Sequence, residues 1–197
     1  MAADNPEPIP FVHDGAVAYG VEERISPLIR RVVANNPGPF TYTGTGVYIV
    51  GAGPLAVIDP GPDDDAHIAA LLSAIGGADV SHIFVTHNHR DHSPAAAPLS
   101  EATGAPVFAF ADAAGQAPSE EPNIVEEGTD RGFQPDVAIA HGDRFSGPGW
   151  TIEAVHTPGH TANHVCFALS EEKALFTASM VQPGPENRSP WAMATSG

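Results

Sequence analysis

Thr86-His87-Asn88-His89-Arg90-Asp91-His92-Ser93-Pro94 sets three histidines and a carboxylate into the six positions from 87 to 92. Imidazole nitrogen and carboxylate oxygen are ligands of zinc and related ions, and catalytic zinc sites keep about three protein ligands and leave a position for water. Ligands at this density are hard to explain by packing, and His-rich tracts bind metal for that reason. His87 and His89, two apart, point the same way if extended geometry persists past Thr86, while Asp91 and His92 follow on the turn beyond. Four ligating groups on one tight loop can serve two neighbouring ions.

The flanking sequence places this loop. Val80 to Val85 reads as a buried strand, so the cluster leaves a strand's carboxyl end, where ligands commonly bind in layered α/β folds. Before it, Val47 to Val50 and Leu55 to Ile58 read as a hairpin around Gly51-Ala52-Gly53-Pro54, ending in Asp59-Pro60-Gly61-Pro62. Asp63, Asp64 and Asp65 then precede an apolar pattern through Ile68, Leu71, Leu72 and Ile75 that closes at Gly76-Gly77, as in a helix with acidic residues at its positive end.

After the loop, Ser93-Pro94 predicts a cap and first position for a helix to about Thr103, stopped by Gly104, with a strand from Pro106 to Phe110. Residues 113–135 are acidic, rich in Gly and Pro and weakly periodic, which reads as a long surface excursion of the kind that covers a site. Trp150 to Val155 alternates like a strand, and Val165 to Leu169 with Ala174 to Thr177 reads as a second hairpin. Beyond Thr177 three prolines and no amphipathic period predict an unstructured tail, residues 178–197. Residues 1–15 are Pro-rich and polar, a loosely held lead-in.

The chain's 197 residues suit one domain, here residues 16–177, and the 42% hydrophobic content supports a substantial core. Eight Lys plus Arg against 24 Asp plus Glu give a net charge of −16, which repels nucleic-acid backbones and anionic lipid heads. Arg24, Arg30 and Arg31 lie close together, but so short a run reads as a solvated face. No stretch approaches the roughly 18 apolar residues of a membrane span, and the single cysteine, Cys166, reads as a buried thiol in a strand. These features predict a cytoplasmic protein acting on a small or short substrate. His13, His67 and His82 stand in no constellation and read as ordinary histidines.

A second constellation supports the first. Thr157-Pro158-Gly159-His160-Thr161 sets an imidazole on a Gly-Pro turn after a strand, a candidate third nitrogen for an ion held by His87 and His89. With both motifs read, the chain resembles the metallo-beta-lactamase fold superfamily, whose signature is a Thr-His-x-His-x-Asp-His loop followed downstream by a Pro-Gly-His turn. The resemblance runs from about Phe40 to Thr177. It includes Phe40-Thr41-Tyr42-Thr43-Gly44-Thr45, the strand end Val57-Ile58-Asp59-Pro60-Gly61-Pro62, and His156 to Thr161. Within the superfamily it is most similar to the beta-lactamase-like protein branch that includes endoribonucleases, ahead of glyoxalase II thioesterases and true beta-lactamases.

The resemblance implies an α/β fold, a four-layer αββα sandwich whose second half is incomplete here. It implies a zinc-dependent hydrolase using activated water on an ester, thioester or phosphodiester, with Asp91 as the catalytic group. The first ion takes His87, His89 and His160, the second takes Asp91 and His92, and Asp59 supports the loop from behind. His164 also matches a histidine of that branch.

Two features depart from the family pattern. Where the family has a Gly-Asp pair whose aspartate bridges two ions, this chain has Ala178-Ser179, and no histidine follows His164 to match the family's last ligand. A neutral hydroxyl substitutes poorly between two dications, so the first ion is expected to be the stronger of one or two. A truncated or frame-shifted chain, and a metal-binding remnant without turnover, are the readings that compete with an active enzyme.

Overall fold

The computed structural model describes residues 17–110 and 128–178, and the backbone of 180–183. The lead-in, most of the excursion, Ser179 and residues 184–197 lie outside the described residues. Two sheets carry the fold. The first has seven strands in sequential order: β1 (Glu23–Arg24), β2 (Ile29–Val33), β3 (Gly46–Val50), β4 (Leu55–Ile58), β5 (Val80–Val85), β6 (Val107–Phe110) and β7 (Val137–Ile139). It is antiparallel as far as β4 and parallel from β4 to β7. The second is wholly antiparallel, with β8 (Arg144–Gly147), β9 (Trp150–His156), β10 (Val165–Leu169), β11 (Ala174–Thr177) and β12 (Met180–Pro183) in the order 12-11-10-9-8.

The alternation of side chains along the strands sorts two cores. Tyr48, Val50, Ala56, Ile58 and Phe84 face the second sheet, where they meet Trp150, Ile152, Phe167 and Phe176. Val47, Ile49, Leu55, Val57, Ile83 and Val85 face the other way, onto Leu71 and Ile75 of α1 (Asp65–Ile75) and Leu99 of α2 (Ala96–Thr103). Strands buried on both faces read as continuous apolar runs, as these do. Burying each of the larger side chains contributes about 1.5–3 kcal/mol before entropy. The described residues therefore form three layers, helices on sheet on sheet, in agreement with an αββα sandwich incomplete in its second half.

α1 begins as its sequence predicts: Asp64 caps it by accepting from the His67 N–H at 2.8 Å, and Gly76 ends it in the left-handed region at φ 65°. α2 does not. It starts at Ala96 without a side-chain cap, because the Ser93 hydroxyl is drawn to the His89 carbonyl and the Asp130 carboxylate at 3.2 and 3.1 Å. The predicted unstructured tail is also corrected in part: residues 180–183 pair with β11 as β12, since the open edge of β11 offers backbone partners that need no apolar period. Arg30 and Arg31 pair with Glu22 and Glu23 across the β1–β2 edge, which accounts for the basic run.

His67 is buried on α1, with Nε2 donating to the Pro60 carbonyl at 2.9 Å, and burial holds its pKa below the ordinary histidine range. A folded-state pKa below the unfolded value means that the unfolded chain binds the proton more readily, so this contribution is complete above about pH 6.5 and is lost as pH falls below it. His67→Gln is expected to flatten the decline of the melting temperature between pH 7.5 and 5, measured by circular dichroism. An unchanged decline would exclude His67 as a source of acid sensitivity. His82 is likewise uninvolved in ligation, its ring lying among those of Phe84, Phe108, Phe145 and Trp150.

Candidate metal centre

Parallel pairing of β4 with β5 brings their carboxyl ends side by side, and the chain leaves them at Asp59 and Thr86. The Asp59 N–H donates to the Phe84 carbonyl at 2.8 Å, and Val165 of the second sheet donates its N–H to the Thr86 carbonyl at 2.9 Å, which closes the two sheets onto one edge. The 86–94 loop and the 157–164 turn meet there. Asp59 holds a left-handed backbone at φ 51°, uncommon for a residue with a Cβ and frequent at functional sites.

His87, His89 and His160 bring one ring nitrogen each to within 4.8 Å of one another, a group able to hold a metal ion. His87 and His89 are buried, and His160 is exposed on its turn. His87 Nε2 and His89 Nδ1 stand 3.1 Å apart. Two nitrogens each about 2.05 Å from a tetrahedral ion would be separated by about 3.3 Å, so this pair fits an ion of zinc's size.

The hydrogen bonds behind His87 select its tautomer. The Thr86 hydroxyl lies 2.8 Å from Asp59 Oδ2 and 3.0 Å from His87 Nδ1. A carboxylate only accepts, so the single hydroxyl proton goes to Asp59, and the hydroxyl oxygen accepts from His87 Nδ1–H. The bare lone pair of His87 is then on Nε2, the atom facing His89. Burial, followed by repulsion from His92, His89, His164 and His160, holds the His87 pKa far below its ordinary value and keeps that lone pair free of a proton.

Asp91 and His92 form the other half of the centre. His92 Nε2 lies 3.0 Å from Asp91 Oδ2, and its Nδ1 lies 3.1 Å from Asp59 Oδ2, close enough for charge pairing but not aligned as a hydrogen bond. Burial alone would lower the His92 pKa, but the charge of Asp59 and the contacts to Asp59 and Asp91 override it and raise it. Burial opposes the charge of Asp91, yet the hydrogen bond and charge of His92 pull its pKa below the ordinary carboxylate value.

The sequence-predicted residues thus meet at one edge: His87, His89, Asp91, His92 and His160, with Asp59 behind Thr86 and His92. The ring of His164 also lies here, 5.4 Å from that of His87, with Nδ1 2.8 Å from the Thr157 hydroxyl. Cys166 is buried in β10, its Sγ 3.2 Å from the same hydroxyl. Sequence reading missed residues 128–130, the described end of the excursion: Asp130 N–H donates to the Asn88 carbonyl at 2.7 Å, and Arg90 N–H to the Gly128 carbonyl at 3.1 Å. These are backbone bonds, and no residue type in the sequence signals them.

A family model described as the metallo-beta-lactamase superfamily matches residues 42–195. The chain belongs to the metallo-beta-lactamase superfamily. The match runs past Thr177, so the loss of apolar period there does not end the resemblance. The chain is 37% identical over 162 residues to an atrochrysone carboxyl ACP thioesterase of Aspergillus novofumigatus, an alignment covering 81% of this chain and 45% of that protein. It is 36% identical over 163 residues to a lactamase-like protein of Pestalotiopsis microspora, again covering 81% and 45%. The chain therefore spans about half the length of these curated relatives.

Among solved structures it is similar to a subclass B3 metallo-beta-lactamase of Bradyrhizobium japonicum, with a TM-score of 0.60 and 21% identity over 82% of this chain and 61% of that one. A metallo-beta-lactamase of Cronobacter sakazakii gives the same TM-score and coverages at 20% identity. At this identity the likeness shows the fold. No helix among the described residues is long and apolar enough to cross a membrane.

Proposed function

We propose that this metallo-beta-lactamase superfamily chain is a zinc-dependent hydrolase of thioesters, acting in the cytoplasm on a small or short substrate. The observation that carries this reading is the three-imidazole cluster, His87, His89 and His160, beside the carboxylate of Asp91. His87, His89 and His160 would hold a divalent ion, which would supply the Lewis acidity to polarise a carbonyl and acidify water toward neutral pH. Asp91, steadied by His92, orients the attacking water and takes its proton. His87 presents Nε2 because Thr86 and Asp59 hold its other nitrogen.

Esters, thioesters and phosphodiesters all suit such a centre. The relative named as an ACP thioesterase favours a thioester, and a chain of net charge −16 repels a polyanionic phosphodiester. A second ion on Asp91 and His92 would be the weaker, because Ser179 stands where the family has its bridging aspartate. That same substitution favours the rival reading, a metal-binding remnant without turnover.

The test is an assay of zinc-loaded protein against a small acyl thioester, a lactam and a short RNA, with His89→Ala as control. Thioester cleavage that the control lacks is the expected result. Stoichiometric zinc without turnover of any substrate would decide for the remnant.

A further inference from the structure

Asp91 has a support that the catalytic reading does not use. Between β2 and β3 the chain makes a narrow loop, closed at its base by Ala34 N–H donating to the Thr45 carbonyl at 2.9 Å. Inside the loop Asn36 grips Thr45 twice: its Oδ1 accepts the Thr45 N–H at 2.9 Å, and its Nδ2 donates to Thr45 Oγ1 at 3.1 Å. Thr45 is fully buried, and its hydroxyl oxygen lies 3.4 Å from Asp91 Oδ2, longer than the usual O–H···O hydrogen bond of about 2.5–3.0 Å. Since Asn36 Nδ2 can only donate, it occupies a lone pair of the hydroxyl and leaves the single hydroxyl proton to the carboxylate.

The approach of the two segments demands glycine at 44. Gly44 has φ 117°, and a Cβ there would lie 2.2 Å from the Ala34 carbonyl oxygen and 3.3 Å from Asn36 Oδ1. The Thr41 hydroxyl donates to the Asn36 backbone carbonyl and ties the outer turn to the same residue.

We infer that Asn36 and Thr45 are positioning residues for Asp91: Asn36 sets the direction of the Thr45 hydroxyl, and that hydroxyl fixes the carboxylate at the metal centre. The inference rests on the metal-centre reading. The side-chain hydrogen bonds run from Asn36 to Thr45 and from Thr45 to Asp91 Oδ2, so the relay acts on the centre through that carboxylate.

The test is titration of metal-free protein with Co(II), its two binding steps read separately by visible absorption, in wild type, Thr45→Val, Thr45→Ser, Asn36→Ala and Asp91→Ala. Circular dichroism checks that each variant folds. Thr45→Val and Asn36→Ala are expected to weaken the second Co(II), the ion assigned to Asp91 and His92, about tenfold, the lower end of what outer ligand support contributes, and to leave the first unchanged, while Thr45→Ser retains both. The deciding arm puts Thr45→Val into Asp91→Ala, where it should cost neither ion anything further, because the acceptor it acts through is gone. A further loss of Co(II) affinity in that background would overturn the relay, as would full affinity for both ions in Thr45→Val or a wild type that holds only one. Wild type that binds no Co(II) would defeat the metal-centre reading and the relay with it.

Discussion

Replacing His89 with alanine is expected to lower zinc affinity by about two orders of magnitude while leaving the fold intact. Structural zinc sites with four protein ligands reach apparent binding free energies of roughly 10–16 kcal/mol, so one ligand accounts for about 3 kcal/mol, or about a hundredfold in Kd. His89 is the informative choice. Its Nδ1 stands 3.1 Å from His87 Nε2, so its removal opens the trio without removing a partner of the Thr86–Asp59 hydrogen bonds. A competition titration against a chelator of known affinity measures the change, and far-ultraviolet circular dichroism reports the fold. Affinity within threefold of wild type would mean that the ion, if held, is not held by this loop.

The candidate centre was legible in the sequence because side chains able to hold a metal ion lie close together in it. His87, His89, Asp91 and His92 occupy one loop, and the Pro158-Gly159-His160 turn announces its own geometry. Strands β3 and β4 were legible for a related reason: buried on both faces, they are apolar runs bounded by glycine, proline and aspartate, and β5 ends in the apolar run Ile83-Phe84-Val85.

What escaped was set by partners distant in the chain. Ser93 looks like a helix cap until Asp130, 37 residues on, takes its hydroxyl. β12 has no apolar period because the neighbouring strand β11, and no pattern of its own, recruits it. Asn36 and Thr45 are ordinary polar residues in a turn-rich stretch, and only the pairing of β2 with β3 sets them against each other. Glu172 is similar. It accepts from the Leu28 N–H at 2.8 Å, tying the β10–β11 turn of the second sheet to the first.

Asp59→Asn is expected to harm metal binding more than its conservative size suggests, and Asp59→Ala to harm folding as well. Asp59 is fully buried and accepts from both the N–H and the hydroxyl of Thr86, at 2.7 and 2.8 Å, while its charge faces His92. Removing one member of a buried charge pair costs about 3–5 kcal/mol, and for a domain of this size about 2–4 °C of melting temperature is lost per kcal/mol. Asp59→Ala should therefore melt about 10 °C lower, and the left-handed backbone at this position adds strain that asparagine tolerates better than alanine. Asparagine can still accept the Thr86 N–H, but its amide then donates to the Thr86 hydroxyl oxygen, where the carboxylate only accepted. The Thr86 proton turns toward His87 Nδ1, and His87 then carries its own proton on Nε2, the atom that faces His89 and would hold an ion. The variant should fold and yet lose about 10–100-fold in zinc affinity, the range expected when outer support of a ligand is changed. Nitrogen-15 chemical shifts of the His87 ring in the metal-free protein read the tautomer directly. If Nδ1 stays protonated in Asp59→Asn, any loss of affinity has another cause and the hydrogen-bond assignment behind His87 is wrong.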